Sequence, residues 1–144
     1  MLYISAEAFM KWFLLLSLSF TTSAYALSFQ ISYKGNVLFS QNHYDIDLQE
    51  HLGIPTLELL NQSGLDFEGG SYGVKSISGL GNKIESVSST EMKAYGWCFS
   101  IDSQVPETMI DETFASTQDS QLRWFYAYAH FKNGQWIAQC QEDL

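Results

Sequence analysis

The sequence predicts an α+β fold, a mostly antiparallel β-sheet with one short helix and an added C-terminal hairpin. Apolar residues alternate with polar ones along most of the chain from residue 27 onward, with turn-forming residues between the runs, and this period of two is typical of strands. Only one segment carries helical signals. Near the C-terminus, Asn133-Gly134 separates two alternating runs, which is the strongest short-range signal for a β-hairpin.

Residues 1–26 are predicted to be a signal peptide. Lys11 precedes an apolar run over residues 12–20, and Ala24-Tyr25-Ala26 follows at the distance expected for cleavage. The run is too short to span a membrane, and Met10 is an alternative start. A buried N-terminal helix is the competing interpretation. The signal peptide leaves one small domain over residues 27–144, secreted or periplasmic, with no membrane span after cleavage.

The domain is predicted to begin with a hairpin and to continue into the helix. Apolar residues alternate between Phe29 and Leu48 around a turn at Gly35-Asn36. Pro55 suits a first helical position, the leucines of residues 57–60 form an apolar stripe, and Gly64 offers a C-terminal cap. A helix this short needs a sheet to pack against.

Glycine-rich and polar segments predict turns and loops in the middle of the chain. Glycines between residues 64 and 81 surround one predicted strand near Tyr72 to Ser78, and residues 86–90 and 107–120 are predicted to be surface loops. The acidic residues of the second loop lack the spacing of a calcium-binding loop, so a solvated loop is favoured over a metal site.

The C-terminal hairpin predicts which residues share a face of the sheet. Counting outward from a two-residue turn gives three opposed pairs, Phe131 with Trp136, Ala129 with Ala138, and Ala127 with Cys140. Phe125 joins this set by alternation. The opposite face carries a larger apolar set and is the predicted core under the helix: Trp97, Phe99, Ile101, Leu122, Trp124, Tyr126, Tyr128 and His130.

The face that carries the three pairs is apolar, although a sheet covered on one side usually presents polar residues on the other. Either the 107–120 loop or the first hairpin covers this face, or it forms an exposed aromatic shelf. In the second case alanines form the floor, and Phe125, Phe131 and Trp136 form the walls of a site for a planar ligand or a partner chain.

Two cysteines remain in a chain that is predicted to be exported. An even count in an oxidising compartment predicts one disulfide, between Cys98 and Cys140. The chain has a formal net charge of −9, and the predicted leader removes one acidic and one basic residue, so the charge does not change. This acidity disfavours nucleic acid and anionic membranes as partners, although solubility alone also explains it.

No enzyme is predicted. The chain has no Gly-x-Ser-x-Gly nucleophile motif, and the glycine before the lysine of a phosphate loop is replaced by Val74 in residues 70–76. Neither Cys-x-x-Cys nor a cluster of histidines indicates a metal site, since His43, His51 and His130 are scattered.

Three motifs in order resemble a known domain family. They are Ile77-Ser78-Gly79-Leu80, Gly96-Trp97 and Leu122-Arg123-Trp124-Phe125-Tyr126, and the match extends over roughly residues 28–126. This order is similar to the β-grasp-type domain at the C-terminus of transcobalamin and intrinsic factor, which recurs in secreted bacterial proteins as a domain of unknown function. Ile101-Asp102-Ser103 and Asp119-Ser120 depart from the family pattern, which leaves the geometry of both turns open.

The resemblance implies a β-grasp-like fold and an exported binding module. In the vitamin carriers this domain works beside a large helical domain for which the chain has no room, so cobalamin binding is expected to be weak or partner-assisted at most, and no other cofactor is predicted. The alternative is a structural or protein-interaction domain that takes up a partner chain by strand addition. A hydrolase has no motif to support it.

Overall fold

The computed structural model describes residues 26–143, so the predicted signal peptide lies outside the described residues apart from Ala26. These residues form eight strands, one α-helix and one short 3-10 helix. In chain order they are β1 (Leu27–Tyr33), β2 (Asn36–Tyr44), α1 (Gly53–Ser63), β3 (Phe67–Gly70), β4 (Gly73–Ile77), β5 (Lys83–Ser88), β6 (Glu91–Ile101), the 3-10 helix (Ile110–Glu112), β7 (Gln121–Lys132) and β8 (Gln135–Glu142).

Six of the strands form one mixed sheet, in agreement with the predicted α+β class. The order is β2-β1-β7-β6-β5. β1 runs parallel to the first half of β7, and every other neighbouring pair in this sheet is antiparallel. β8 pairs with the second half of β7, on the edge that β1 leaves free. β3 and β4 form a separate two-stranded sheet. The described part of the chain contains no helix long and apolar enough to cross a bilayer.

The core lies between α1 and one face of the large sheet. Leu59 and Leu60 of the helix are buried against Phe29 and Ile31 of β1 and Trp124 of β7. This is the face that the alternation predicted, and the helical cap is confirmed as well, since Gly64 ends α1 with a left-handed φ of 71°. The helix begins two residues before Pro55, so the proline lies within its first turn.

The loop over residues 107–120 packs on the core side. Ile110 and Ala115 belong to the buried core, and the Leu52 N–H at the start of α1 donates to the Thr113 carbonyl at 2.8 Å. The first hairpin extends the sheet sideways through β1 and β2. The expectation that one of them covers the second face holds only at the disulfide, where Met109 and Ile110 of the loop line a hollow of about 190 Å³ together with Cys98 and Cys140. Around Ala94 and Ala129, which are partly exposed, the second face is not buried.

Three local predictions are corrected. The first turn is Lys34-Gly35, with φ values of 49° and 72°, one residue earlier than predicted, and β2 ends at Tyr44. Residues 86–88, predicted to be loop, belong to β5. The sequence pattern did not indicate a strand here, because this edge strand is exposed along its whole length and shows no apolar alternation. The predicted strand near Tyr72 is shorter and pairs with β3.

Candidate functional site on the alanine face

The second face of the sheet is called here the alanine face. Alternation along two antiparallel strands places small and apolar residues on it, from β6 Met92, Ala94, Gly96 and Cys98, and from β7 Phe125, Ala127, Ala129 and Phe131. The helix packs on the opposite side, and the long loop borders this face only at the disulfide, so β8 and the side chains of the face itself are its main cover.

The C-terminal hairpin brings Phe131 and Trp136 together as predicted. Asn133 and Gly134 form a two-residue turn with φ values of 51° and 81°, as a type I′ turn requires. Phe131 and Trp136 are direct partners, and their rings meet edge to face with centroids 5.2 Å apart. Trp136 is 50% exposed.

The register farther along β8 differs from the prediction. Ala138 pairs with His130 instead of Ala129, and the partner of Ala127 is Glu142 instead of Cys140. β8 contains two register shifts, and each adds one residue to this strand relative to β7. Cys140 lies at the second irregularity with a φ of 50°. A glycine would have signalled such a bulge, but here the strained position is a cysteine held by its disulfide.

The disulfide between Cys98 and Cys140 is confirmed. It joins β6 to β8, which flank β7, so the bridge crosses the alanine face above β7. Strands on either side of a third lie about 9.6 Å apart, whereas the two cysteine Cα atoms are 5.9 Å apart, so the irregular part of β8 at Cys140 lies closer to β6 than regular strand spacing allows. Ala127 lies in this region and is 1% exposed, which fits a bridge that crosses where the side chain below is small.

An arginine clamp closes the same end of the face. The Arg123 guanidinium donates two hydrogen bonds to Ser32 Oγ and two to the Glu142 carboxylate, at 2.6–3.1 Å, and lies 4.9 Å from the centre of the Phe125 ring. Phe125 is only 4% exposed. The prediction that it forms a wall of the shelf is therefore corrected, because the Arg123 guanidinium, held by Ser32 and Glu142, covers its ring.

The other end of the face remains open and forms a trough. Ala94 and Ala129, both partly exposed, make its floor, and the larger side chains of the next pair, Met92 and Phe131, border it at one end. Ile84 of the edge strand β5 lies beside Ala94 and is 71% exposed. A hollow of about 400 Å³ adjoins the trough, bordered by Ile84, Met92 and Phe131 and by the polar residues of the turn between β5 and β6; the two alanines and Trp136 do not line it. Of the three predicted walls, the structure thus leaves Phe131 and Trp136 available. Ile84 and Met92 were missed because no strand was predicted over residues 83–94, which hold β5 and the start of β6.

An ion-pair network anchors the strand ends beside the trough. The Glu91 carboxylate contacts His130 Nε2 at 2.7 Å and Lys132 Nζ at 3.5 Å, linking the start of β6 to the end of β7. The hydrogen bond with His130, helped by the positive charge of Lys132, lowers the pKa of Glu91 below its ordinary value of 4.5.

The pKa of Glu91 predicts acid sensitivity at this end of the sheet. A carboxylate whose pKa is lowered by folding contributes stability above its unfolded pKa, and that stability is lost as the pH falls through the folded value. We expect wild-type protein to lose more unfolding free energy than Glu91→Gln as the pH falls from 7 to below about 4.5. Urea melts across this range measure the difference, and Glu107→Gln in the exposed loop should keep the wild-type slope. Equal slopes for wild type and Glu91→Gln would contradict the role of this network.

Part of the predicted core is instead a cluster of half-buried tyrosines. The sequence placed Tyr126, Tyr128 and His130 under the helix with Trp124, but these three are only partly buried, and neither Tyr128 nor His130 belongs to the core packing. Burial raises the pKa of Tyr126, and burial together with the nearby Glu85 charge raises the pKa of Tyr95, so both phenols are protonated at neutral pH.

No group of three or more histidine, cysteine or acidic side chains within residues 26–143 is placed to hold a metal ion.

Comparisons with protein-family models, with curated proteins and with solved structures found no match.

Proposed function

We propose that this protein is an exported binding module that holds a planar apolar ligand in the trough of the alanine face. The observation that carries the proposal is the uncovered end of this face, where Ile84, Met92, Phe131 and Trp136 surround a floor of alanines. Exposed apolar surface costs solubility, and a contiguous patch on a small protein is a feature of binding surfaces. Export is supported by the signal-peptide pattern of residues 1–26 and by a disulfide, which persists in oxidising compartments.

The shape of the trough favours a planar ligand. Methyl side chains from neighbouring strands, Ala94 and Ala129, make a flat floor against which one face of a ring system can lie. Phe131 and Trp136 are locked edge to face, so their rings are rigid walls that lose little side-chain entropy on binding. A hollow of about 400 Å³ adjoins the trough at Ile84, Met92 and Phe131 and adds room for a substituent of the ring system.

A β-grasp-like fold related to the C-terminal domain of transcobalamin is part of this proposal. The parallel pairing of β1 with β7 in the middle of the sheet supports it, as does the packing of α1 on one face of that sheet. Cobalamin as a whole exceeds the trough, and no histidine lines the described hollow, so a corrin ring would be held by one edge at most. Cobalamin binding therefore remains a weak or partner-assisted expectation.

A titration with Nile red, a neutral planar fluorophore, tests the proposal. We expect a saturable rise in dye fluorescence on the native protein and a weakening of at least about tenfold in Trp136→Ala, as for loss of an aromatic anchor. Phe114→Ala is the matched control, because Phe114 is 51% exposed on the loop that packs on the core side. Equal weakening in both variants, or no saturable binding, would overturn the proposal.

Competition with unlabelled compounds distinguishes planar from extended ligands. Haem should displace the dye, cobalamin should displace it weakly at most, and palmitate should displace it poorly if the trough selects flat rings. Displacement by palmitate alone would contradict a planar ligand, because an acyl chain buries less of its surface on a flat floor than in a groove.

The edge strand β5 favours a second candidate, protein interaction by strand addition. All six of its residues are exposed and it lies at the end of the strand order, so its outer backbone groups have no strand partner in the described sheet. Light scattering after size exclusion separates the candidates. A dimer that dissociates in Val87→Lys would favour this alternative, whereas a monomer that binds Nile red favours the ligand-binding module.

A further inference from the structure

A second hollow, of about 240 Å³, lies at the far end of the core face beyond the helix. Three tyrosines from neighbouring strands line it, Tyr33 at the end of β1, Tyr95 of β6 and Tyr126 of β7, and we call it the tyrosine pocket. The Tyr126 ring stacks on Tyr95 at 6.1 Å and meets Tyr33 edge to face at 5.8 Å. The Tyr126 hydroxyl donates to the Gly81 carbonyl at 2.7 Å, so the central ring is fixed.

Ammonium groups of the protein already lie over the rings of this region. Lys34 Nζ lies 5.9 Å from the Tyr33 centroid and Lys83 Nζ lies 5.7 Å from that of Tyr95. Beside the pocket, Lys93 Nζ lies 4.4 Å from the Tyr128 centroid. These distances fall within the range of cation–π attraction, so the negative faces of the rings accept a cation in this geometry. Both pocket lysines are exposed, and a ligand can displace such flexible side chains.

Two carboxylates complete the lining. Glu85 of β5 and Asp143, next to the end of β8, border the same hollow and can balance a positive charge placed against the rings. The chain as a whole has a formal net charge of −9, which attracts cations over a distance and repels anions. Lys34 and Lys83 also line the hollow and would favour an anion, but each ammonium lies over an aromatic ring, and the two carboxylates oppose an anion there.

We propose that the tyrosine pocket binds a small organic cation of the quaternary ammonium type, with Lys34 and Lys83 as internal competitors for the ring faces. A methylated ammonium suits this site better than a metal ion or a primary amine, because its charge is spread over methyl groups that lose little hydration when they pack on aromatic rings. The volume lies below the range for drug-sized ligands, so the ligand is a single head group or a compound of similar size. This site lies on the opposite side of the sheet from the trough and does not depend on it.

Calorimetric titration with choline and tetramethylammonium tests this site in low-salt buffer. We expect saturable binding that Tyr95→Leu weakens by about three- to tenfold, the usual range for loss of one cation–π partner. Glu85→Gln should also weaken binding. Because Glu85 is exposed, this variant keeps the test valid if the tyrosine variant fails to fold. The control is Tyr72→Leu, which removes an exposed tyrosine outside the pocket.

The sign of the effect of Lys83→Met decides between a cation and an anion. Removing this ammonium frees the Tyr95 ring and makes the net charge around the pocket more negative, so choline should bind more tightly. Unchanged or weaker choline binding in Lys83→Met, or binding of acetate and sulfate that this substitution abolishes, would overturn the proposal.

Discussion

Replacing Cys98 and Cys140 together by alanine is expected to lower the free energy of unfolding by about 4 kcal/mol, as the chain-entropy model gives for a bridge with a sequence separation of 42. Opening the bridge also frees the end of β8, which lies over the buried Ala127. The variant therefore loses stability in two ways. The native state loses burial around Ala127, and the unfolded chain loses the restraint that the bridge places on it.

Urea melts of the double variant and of wild-type protein, with and without reductant, measure this effect. Reduced wild type should unfold near the double variant, because both lack the same bond. Hydrogen exchange should rise along β8 while β1 and the first half of β7 stay protected, since their pairing does not involve β8. A loss below about 1 kcal/mol would show that the bridge contributes little beyond an ordinary surface contact.

Replacing Trp124 by alanine is expected to lower the unfolding free energy by about 3 to 5 kcal/mol, as large-to-small core substitutions do. Trp124 is 2% exposed and packs against the Phe99 ring at 5.3 Å. Its indole N–H donates to Thr56 Oγ1 at 3.2 Å across the sheet–helix interface. The substitution opens a cavity under α1 and leaves the buried threonine hydroxyl without this partner.

Thermal and urea melts of Trp124→Ala give the size of the loss, and Trp124→Phe is the control. The phenylalanine keeps most of the packing and removes the N–H donor, so it should cost clearly less than alanine. Equal losses in the two variants would contradict packing as the main contribution of this side chain.

The sequence predicts local structure well where one residue type meets a backbone requirement. Asn133-Gly134 and Gly64 adopt the positive φ angles that these residues favour, so the hairpin turn and the helix end follow from the sequence. The register of β8 does not follow, because its two irregularities occur without glycine, and Cys140 takes a positive φ that its residue type does not predict. Edge strand β5 is missed in part for a related reason: with all six residues exposed, its pattern is not apolar alternation.

The extent of the core also cannot be predicted from the alternation of apolar residues alone. Alternation assigns a residue to a face but does not say how far the covering element reaches. The 11 residues of α1 span about 16 Å, whereas the 12 residues of β7 span about 40 Å, so one helix cannot cover the whole strand. Trp124 lies under the helix, while Tyr126 and Tyr128 form the tyrosine cluster beyond it. Phe125 is covered by Arg123, through contacts with Ser32 and Glu142 that are distant in sequence.

The central claim is that the open end of the alanine face is a surface for binding and not a second core. A urea melt of Trp136→Ala tests it most directly, because Trp136 has half its surface exposed and forms a wall of the trough. We predict a loss of about 1 kcal/mol or less, as for surface substitutions, with the native fold retained. A loss of about 3 to 5 kcal/mol, the size expected for Trp124→Ala, would contradict the claim and make Trp136 part of a core.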